Sequence, residues 1–214
     1  MTMSKRIQSR AEEFANSLSH WLGFAAALVA TPILIVFAAR DGDAGNVVGA
    51  AIFAGSMILL YLSSALYHAL PQGTRKHFFH KLDHAAIYVL IAGTYTPFTL
   101  GVLSGAWGWT LFGLIWAMAA LGLLLKAFDG LTNRYVSIGI YLLMGWLIVV
   151  AAVPMISKVP TQGLLWLLAG GLAYTGGVVF YALSSRLRFG HFIWHLFVMA
   201  GTVCHFFAVL WYSA

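Results

Sequence analysis

Seven long apolar runs constrain this chain more than any other feature of its sequence. They fall at roughly 19–39, 46–69, 84–103, 106–125, 135–156, 162–184 and 191–212. A membrane-spanning helix needs about 20 mostly apolar residues, and each run supplies them. The runs are continuous rather than alternating, so a transmembrane β-barrel is excluded. Backbone groups in lipid must be satisfied internally, which leaves helices. The connections are short, with no room for a second domain. The expected architecture is an all-α bundle of seven transmembrane helices over 19–214, preceded by a cytoplasmic N-terminal segment, 1–18.

Composition supports this reading. The chain of 214 residues is 61% hydrophobic and only 8% charged, against about 25% charged in a soluble domain. That balance excludes a cytosolic enzyme and a disordered chain. Cys204 is the one cysteine, so an intrachain disulfide framework is excluded too. The formal charge of +6 forms no single patch of the kind nucleic acid would need. The first apolar run lacks a small-residue cleavage pattern and reads as a span, not a removed signal peptide.

The cations instead set a direction. Lys5, Arg6, Arg10, Arg75, Lys76, Lys81, Lys126, Arg134, Arg186 and Arg188 fall on one side of the expected topology. Arg40 and Lys158 fall on the other. By the positive-inside rule the N-terminus is cytoplasmic and the C-terminus outside. Pro32 and Pro97 are expected to kink their helices. Gly170, Gly171, Gly176 and Gly177 are expected to allow close helix approach.

Ionisable groups in or near spans are costly and mark candidate sites. His20, His68, Asp83, His84, His191 and His195 all fall toward the cytoplasmic side, and His205 lies deeper. His191 and His195 are one helical turn apart and share a face. With His68 they would give three imidazoles, the ligand set of an open zinc site; buried packing histidines are the competing reading. His205 lies ten residues beyond His195, about 15 Å along the axis, too far to share an ion. It reads as a hydrogen-bonded packing residue, and His20 as a packed or snorkelling group. His77 and His80 read as solvated or headgroup contacts in a basic loop. Ser64 shares the face of His68. Asp83 reads either as an acid–base or outer-shell carboxylate or as a charge favoured by a helix N-terminus.

These residues sit in motifs. Glu12-Glu13-Phe14-Ala15-Asn16-Ser17-Leu18-Ser19-His20, Ser63-Ser64-Ala65-Leu66-Tyr67-His68, Lys81-Leu82-Asp83-His84, Ile91-Ala92-Gly93-Thr94-Tyr95-Thr96-Pro97-Phe98 and His191-Phe192-Ile193-Trp194-His195 occur in that order. The combination resembles the hemolysin III branch of the progestin and adipoQ receptor (PAQR) superfamily, with Glu13 and Asn16 at key positions of its opening motif. The resemblance implies a seven-helix protein of the plasma (bacterial inner) membrane. It implies zinc at His68, His191 and His195, with Asp83 close to the metal and Ser64 able to stabilise an oxyanion. It suggests hydrolysis of a lipid amide or ester, with an acyl chain received by the bundle. A zinc-braced lipid sensor without catalysis is the alternative. A haemolysin-like pore along Thr202, His205 and the histidine layer is a third reading.

Overall fold

The computed structural model describes residues 8–131 and 133–214; Lys5 and Arg6 of the charge count lie outside them. Eight α-helices follow in order: α1 Arg10–Asp41, α2 Ala44–Ala69, α3 Thr74–Leu100, α4 Ala106–Ala127, α5 Arg134–Gly145, α6 Ala152–Lys158, α7 Thr161–Leu183 and α8 Gly190–Tyr212. A 3-10 turn, Leu147–Ala151, joins α5 to α6. The α5–α6 stretch, Arg134–Lys158, makes one span, so the chain forms an all-α, multi-pass membrane bundle. α1 packs on α2, α2 on α3, α3 on α4, α7 on α8, and α8 back on α1.

Six of these segments are long and apolar enough to cross a membrane; α3 is not among them. Its first turns carry Arg75, Lys76, Lys81, Asp83 and His84, and its last carry Thr94, Thr96 and Thr99. Burial accounts for the polarity of Lys76, Asp83, Thr94, Thr96 and Thr99, while Arg75 stays exposed at the helix start: α3 packs against α2, α4, α5 and α8. Tyr88, Ala92, Thr96 and Thr99 are fully enclosed, so protein rather than lipid surrounds them. The polar turns also conceal where the helix begins. Residues 74–83, expected as a loop, are helical, so His77 and His80 lie on α3 and Asp83 lies within it.

Local chemistry explains the helix ends. The Ser9 hydroxyl accepts from the Glu12 amide, and the Glu12 carboxylate accepts from the Ser9 amide at 2.9 Å, a reciprocal cap at α1. Asp43 and Asn46 repeat the device at α2. α1 therefore starts at Arg10, ahead of the expected span, and Glu12, Glu13 and Asn16 belong to it.

Close packing depends on small residues. A Cβ on Gly49 would come within 2.7 Å of the Pro97 Cα, so α2 and α3 meet backbone to backbone there. Three of the four α7 glycines behave as the sequence suggests: Gly176 and Gly177 lie against Phe197, and Gly170 against the His205 ring, while Gly171 has only ordinary contact with Trp146. The break between α5 and α6 is patched from α3. The Tyr95 hydroxyl accepts from the Ile148 amide at 2.9 Å and donates to the carbonyls of Met144 and Gly145. A broken helix inside lipid needs such a partner. Outward-facing Leu22, Val29, Val36, Leu121, Val153, Leu172 and Val179 are exposed, as surfaces that meet acyl chains should be.

Candidate metal centre

The site forms at the end of the bundle where α1, α3 and α8 begin and α2 ends. His68 occupies the last turn of α2. His191 and His195 occupy the first turns of α8, one turn apart. One nitrogen from each of the three rings lies within 4.8 Å of the other two. Among the described residues this is the one such group, and neither Asp83 nor Glu13 belongs to it.

Hydrogen bonding fixes which nitrogens are free. His68 Nδ1 lies 2.7 Å from Glu13 Oε2. A carboxylate only accepts, so Nδ1 carries the proton and the lone pair sits on Nε2. Asn16 Nδ2, 3.5 Å from the same Nδ1, is itself a donor and is taken by Gln8 Oε1 at 2.8 Å. His195 Nδ1 donates to the Asn16 carbonyl at 3.2 Å and to Ser19 Oγ at 3.1 Å, whose own proton goes to the Asn16 carbonyl. His195 therefore also presents an Nε2 lone pair. The Nε2 atoms of His68, His191 and His195 are all buried without a hydrogen-bond partner.

A buried polar atom left unpaired costs roughly 1–3 kcal/mol. Three such atoms on rings that each bring a nitrogen within 4.8 Å of the other two is an arrangement a metal ion would satisfy, so the residues present fit a cation. Their donor set, three neutral imidazoles, suits zinc with one position left open.

The start of α8 is held in place by α1. The Phe189 amide donates to Glu12 Oε1 at 2.8 Å. Phe189 itself sits at φ 57°, a conformation disfavoured for a bulky side chain. That contact ties the turn before His191 to the first turn of α1.

The other sequence-derived candidates divide. Ser64 and Asp83 are both buried, at 0% and 2% exposure. The Ser64 hydroxyl stands beside the Asp83 carboxyl but has no partner at normal hydrogen-bond geometry. Asp83 Oδ2 is 3.7 Å from His84 Nδ1. His20 does not snorkel: it is buried and stacks on His195 at a centroid distance of 3.6 Å, with neither ring nitrogen bonded. His205 is separate from the triad, as its depth requires; its Nδ1 donates to the Gly201 carbonyl at 2.9 Å and its ring stacks on Tyr174.

Sequence reading left the role of Glu13 open and gave none to Lys76 or Ser19. A cavity of about 540 Å³ also opens between α1, α2 and α8. Gly23, Ala27, Tyr61, Met199, Thr202 and Phe206 are among its lining. Gly23 lies one turn beyond His20 and Met199 one turn beyond His195, so the cavity runs along the helices away from the triad. A smaller hollow of about 220 Å³, by Leu34, Ala50 and Ser213, is at the far end and touches no histidine.

Fold and site together define a class: a multi-pass helical membrane protein with a buried histidine triad able to chelate a metal ion. Residues 8–206 match the family described as Haemolysin-III related, and the chain belongs to that family. It is 42% identical over 201 residues to the Hemolysin-3 homolog of Bacillus subtilis (strain 168), covering 94% of each chain. It is 42% identical over 212 residues to Hemolysin-3 of Bacillus cereus, covering 98% of this chain and 95% of the relative. Human Monocyte to macrophage differentiation factor is 30% identical over 207 residues, covering 92% and 83%, which extends the homology to PAQR-type receptors. No solved structure matches the chain. The multi-pass bundle and the bacterial relatives locate the protein in the plasma (bacterial inner) membrane.

Proposed function

We propose that this is a zinc-binding membrane protein in which the ion braces α2 against α8, and that the cavity beside it takes the acyl chain of a membrane lipid. The observation that carries the reading is that His68, His191 and His195, from two helices distant in sequence, bring one ring nitrogen each within 4.8 Å of the others, and that Nε2 of all three is buried and unpartnered. A metal that binds only the folded arrangement contributes its binding energy to folding. The cavity supports the lipid half of the reading because its lining is largely apolar and Val29, Ile33 and Val203 of that lining are exposed on the outer surface.

In the same reading the bundle crosses the membrane seven times, with α3 as the enclosed crossing and the N-terminus cytoplasmic. Support comes from the cations. Arg10, Arg75, Lys76, Lys81, Lys126, Arg134, Arg186 and Arg188 stand at or near helix ends on the histidine side, and Arg40 and Lys158 at the opposite ends.

The test is elemental analysis of the purified protein. About one zinc per chain is expected, falling to none in His191→Ala/His195→Ala. Unchanged zinc in the double variant would end this reading.

A second reading, hydrolysis of a lipid amide or ester, is favoured by the adjacent buried Asp83 and Ser64. Bound zinc would supply a Lewis acid and a water acidified to about pKa 7. Asp83 would hold a proton at its carboxylate, and Ser64 would donate a hydrogen bond to a carbonyl oxygen gaining charge. Loss of lipid turnover in Asp83→Asn, with zinc content retained, would favour chemistry over bracing. The name of the Bacillus cereus relative carries a third reading, membrane lysis. Dye release from liposomes by the purified protein would favour it.

A further inference from the structure

We propose that Glu13 is a positioning residue for the metal, acting through His68, and that Lys76 holds Glu13 in the orientation this requires. The inference rests on the triad binding a metal ion. It begins with the two oxygens of one carboxylate. Oε2 lies 2.7 Å from His68 Nδ1, and Oε1 lies 3.3 Å from Lys76 Nζ. Lys76 is buried; its ammonium also donates to the carbonyls of Tyr67 at 2.9 Å and Leu70 at 3.2 Å and lies 4.7 Å over the Tyr67 ring. The ammonium therefore caps the C-terminal end of α2, where helix carbonyls lack partners and the dipole favours a cation. It is anchored there by the helix, and it anchors Glu13 in turn.

This geometry has a chemical consequence. With its proton held on Nδ1 by a carboxylate, His68 presents Nε2 as the ligand atom, and its basicity rises. The ring cannot turn over without breaking a charge-assisted bond. The Lys76 cation balances the Glu13 charge, so the carboxylate adds no uncompensated charge to a buried site. His195 has different support: its Nδ1 faces a neutral carbonyl and a hydroxyl. Of these two ligands His68 alone has a charged outer partner, so Glu13 should matter more to metal affinity than Ser19 does.

The experiment uses the full chain in detergent. Zinc affinity is measured by competition with a chromophoric chelator, and the visible absorption of the cobalt-substituted protein reports the ligand field. Glu13→Gln keeps the length and one acceptor oxygen but removes the charge. Zinc binding is expected to weaken about 10- to 100-fold, with a changed cobalt spectrum and metal-free thermal unfolding close to wild type. Lys76→Met should weaken binding less, Lys76→Arg should restore it, and Ser19→Ala should cost less than Glu13→Gln. Wild-type affinity in Glu13→Gln overturns the proposal. So does a loss of affinity matched by an equal loss of metal-free stability, which would make Glu13 a packing residue only. A wild-type protein that binds neither zinc nor cobalt overturns the metal reading itself, and the wild-type sample alone shows that.

Discussion

The two ends of the bundle each bury a polar cluster, and the clusters differ in one respect. At the far end Asn46 Nδ2 donates to the Ser213 carbonyl at 3.0 Å, and Asn46 Oδ1 accepts from the Asp43 amide at 2.9 Å. The Val102 amide also donates to the Ser213 carbonyl, and the Ser213 hydroxyl to the Val209 carbonyl. These side chains leave no buried atom unpaired among the described residues. At the histidine end Asn16 Oδ1, both nitrogens of His20, Ser64 Oγ, and Nε2 of His68, His191 and His195 are buried and unpaired. A saturated cluster fastens helices to one another. An open one retains binding capacity for something outside the polypeptide, because buried polar groups are normally paired.

The largest break in this comparison should come from removing the open cluster's ligands. In His191→Ala/His195→Ala, the stabilisation from metal should vanish. With zinc 1,000-fold above its dissociation constant that is about 4 kcal/mol, read as the difference in thermal midpoint with and without added zinc. Tyr95→Phe comes next. It strips the partner from three backbone groups at the α5–α6 break and should cost roughly 2–3 kcal/mol, with zinc content unchanged. Asn46→Ala opens the saturated end and should cost about 1–2 kcal/mol, again without altering zinc. If zinc content fell in either variant, the two ends would not be separable.

The smallest effect is expected outside the membrane. Lys81 bonds Asp129 at 2.7 Å and holds that carboxyl below the ordinary carboxylate range. A depressed folded-state value means the pair helps at neutral pH and is lost as pH falls through that lowered value. Asp129 is fully exposed, so solvent screens the pair. Asp129→Asn also suits the positive φ at this position. Its unfolding midpoint should match wild type within replicate scatter at neutral pH and in acid.

Much of the site was legible in residue spacing. His191 and His195 had to share a face because 3.6 residues make a turn, and His205 had to lie too deep for the same ion. Hydropathy was a poorer guide to α3, because an apolar-run criterion presumes lipid on the outside of a helix and α3 is wrapped in protein. Asp83 accordingly moved from the expected mouth of a span to the inside of a helix. Glu13 could not be paired with His68 from sequence, since 55 residues separate them. Nor could Lys76 be connected to either: a lysine after an apolar run looks like any charge at a membrane surface.

The amino-acid order by itself determined that this chain is a bundle of membrane helices, because apolar run length and the scarcity of charge are local properties. It also determined which histidines could be neighbours along one helix. Tertiary structure alone decided which nitrogens point at one another, that His20 stacks on His195 instead of reaching for the surface, and that Glu13 stands between His68 and Lys76. Those outcomes depend on how α1, α2, α3 and α8 converge at one end, and convergence is set by packing across the whole bundle rather than by any stretch of residues.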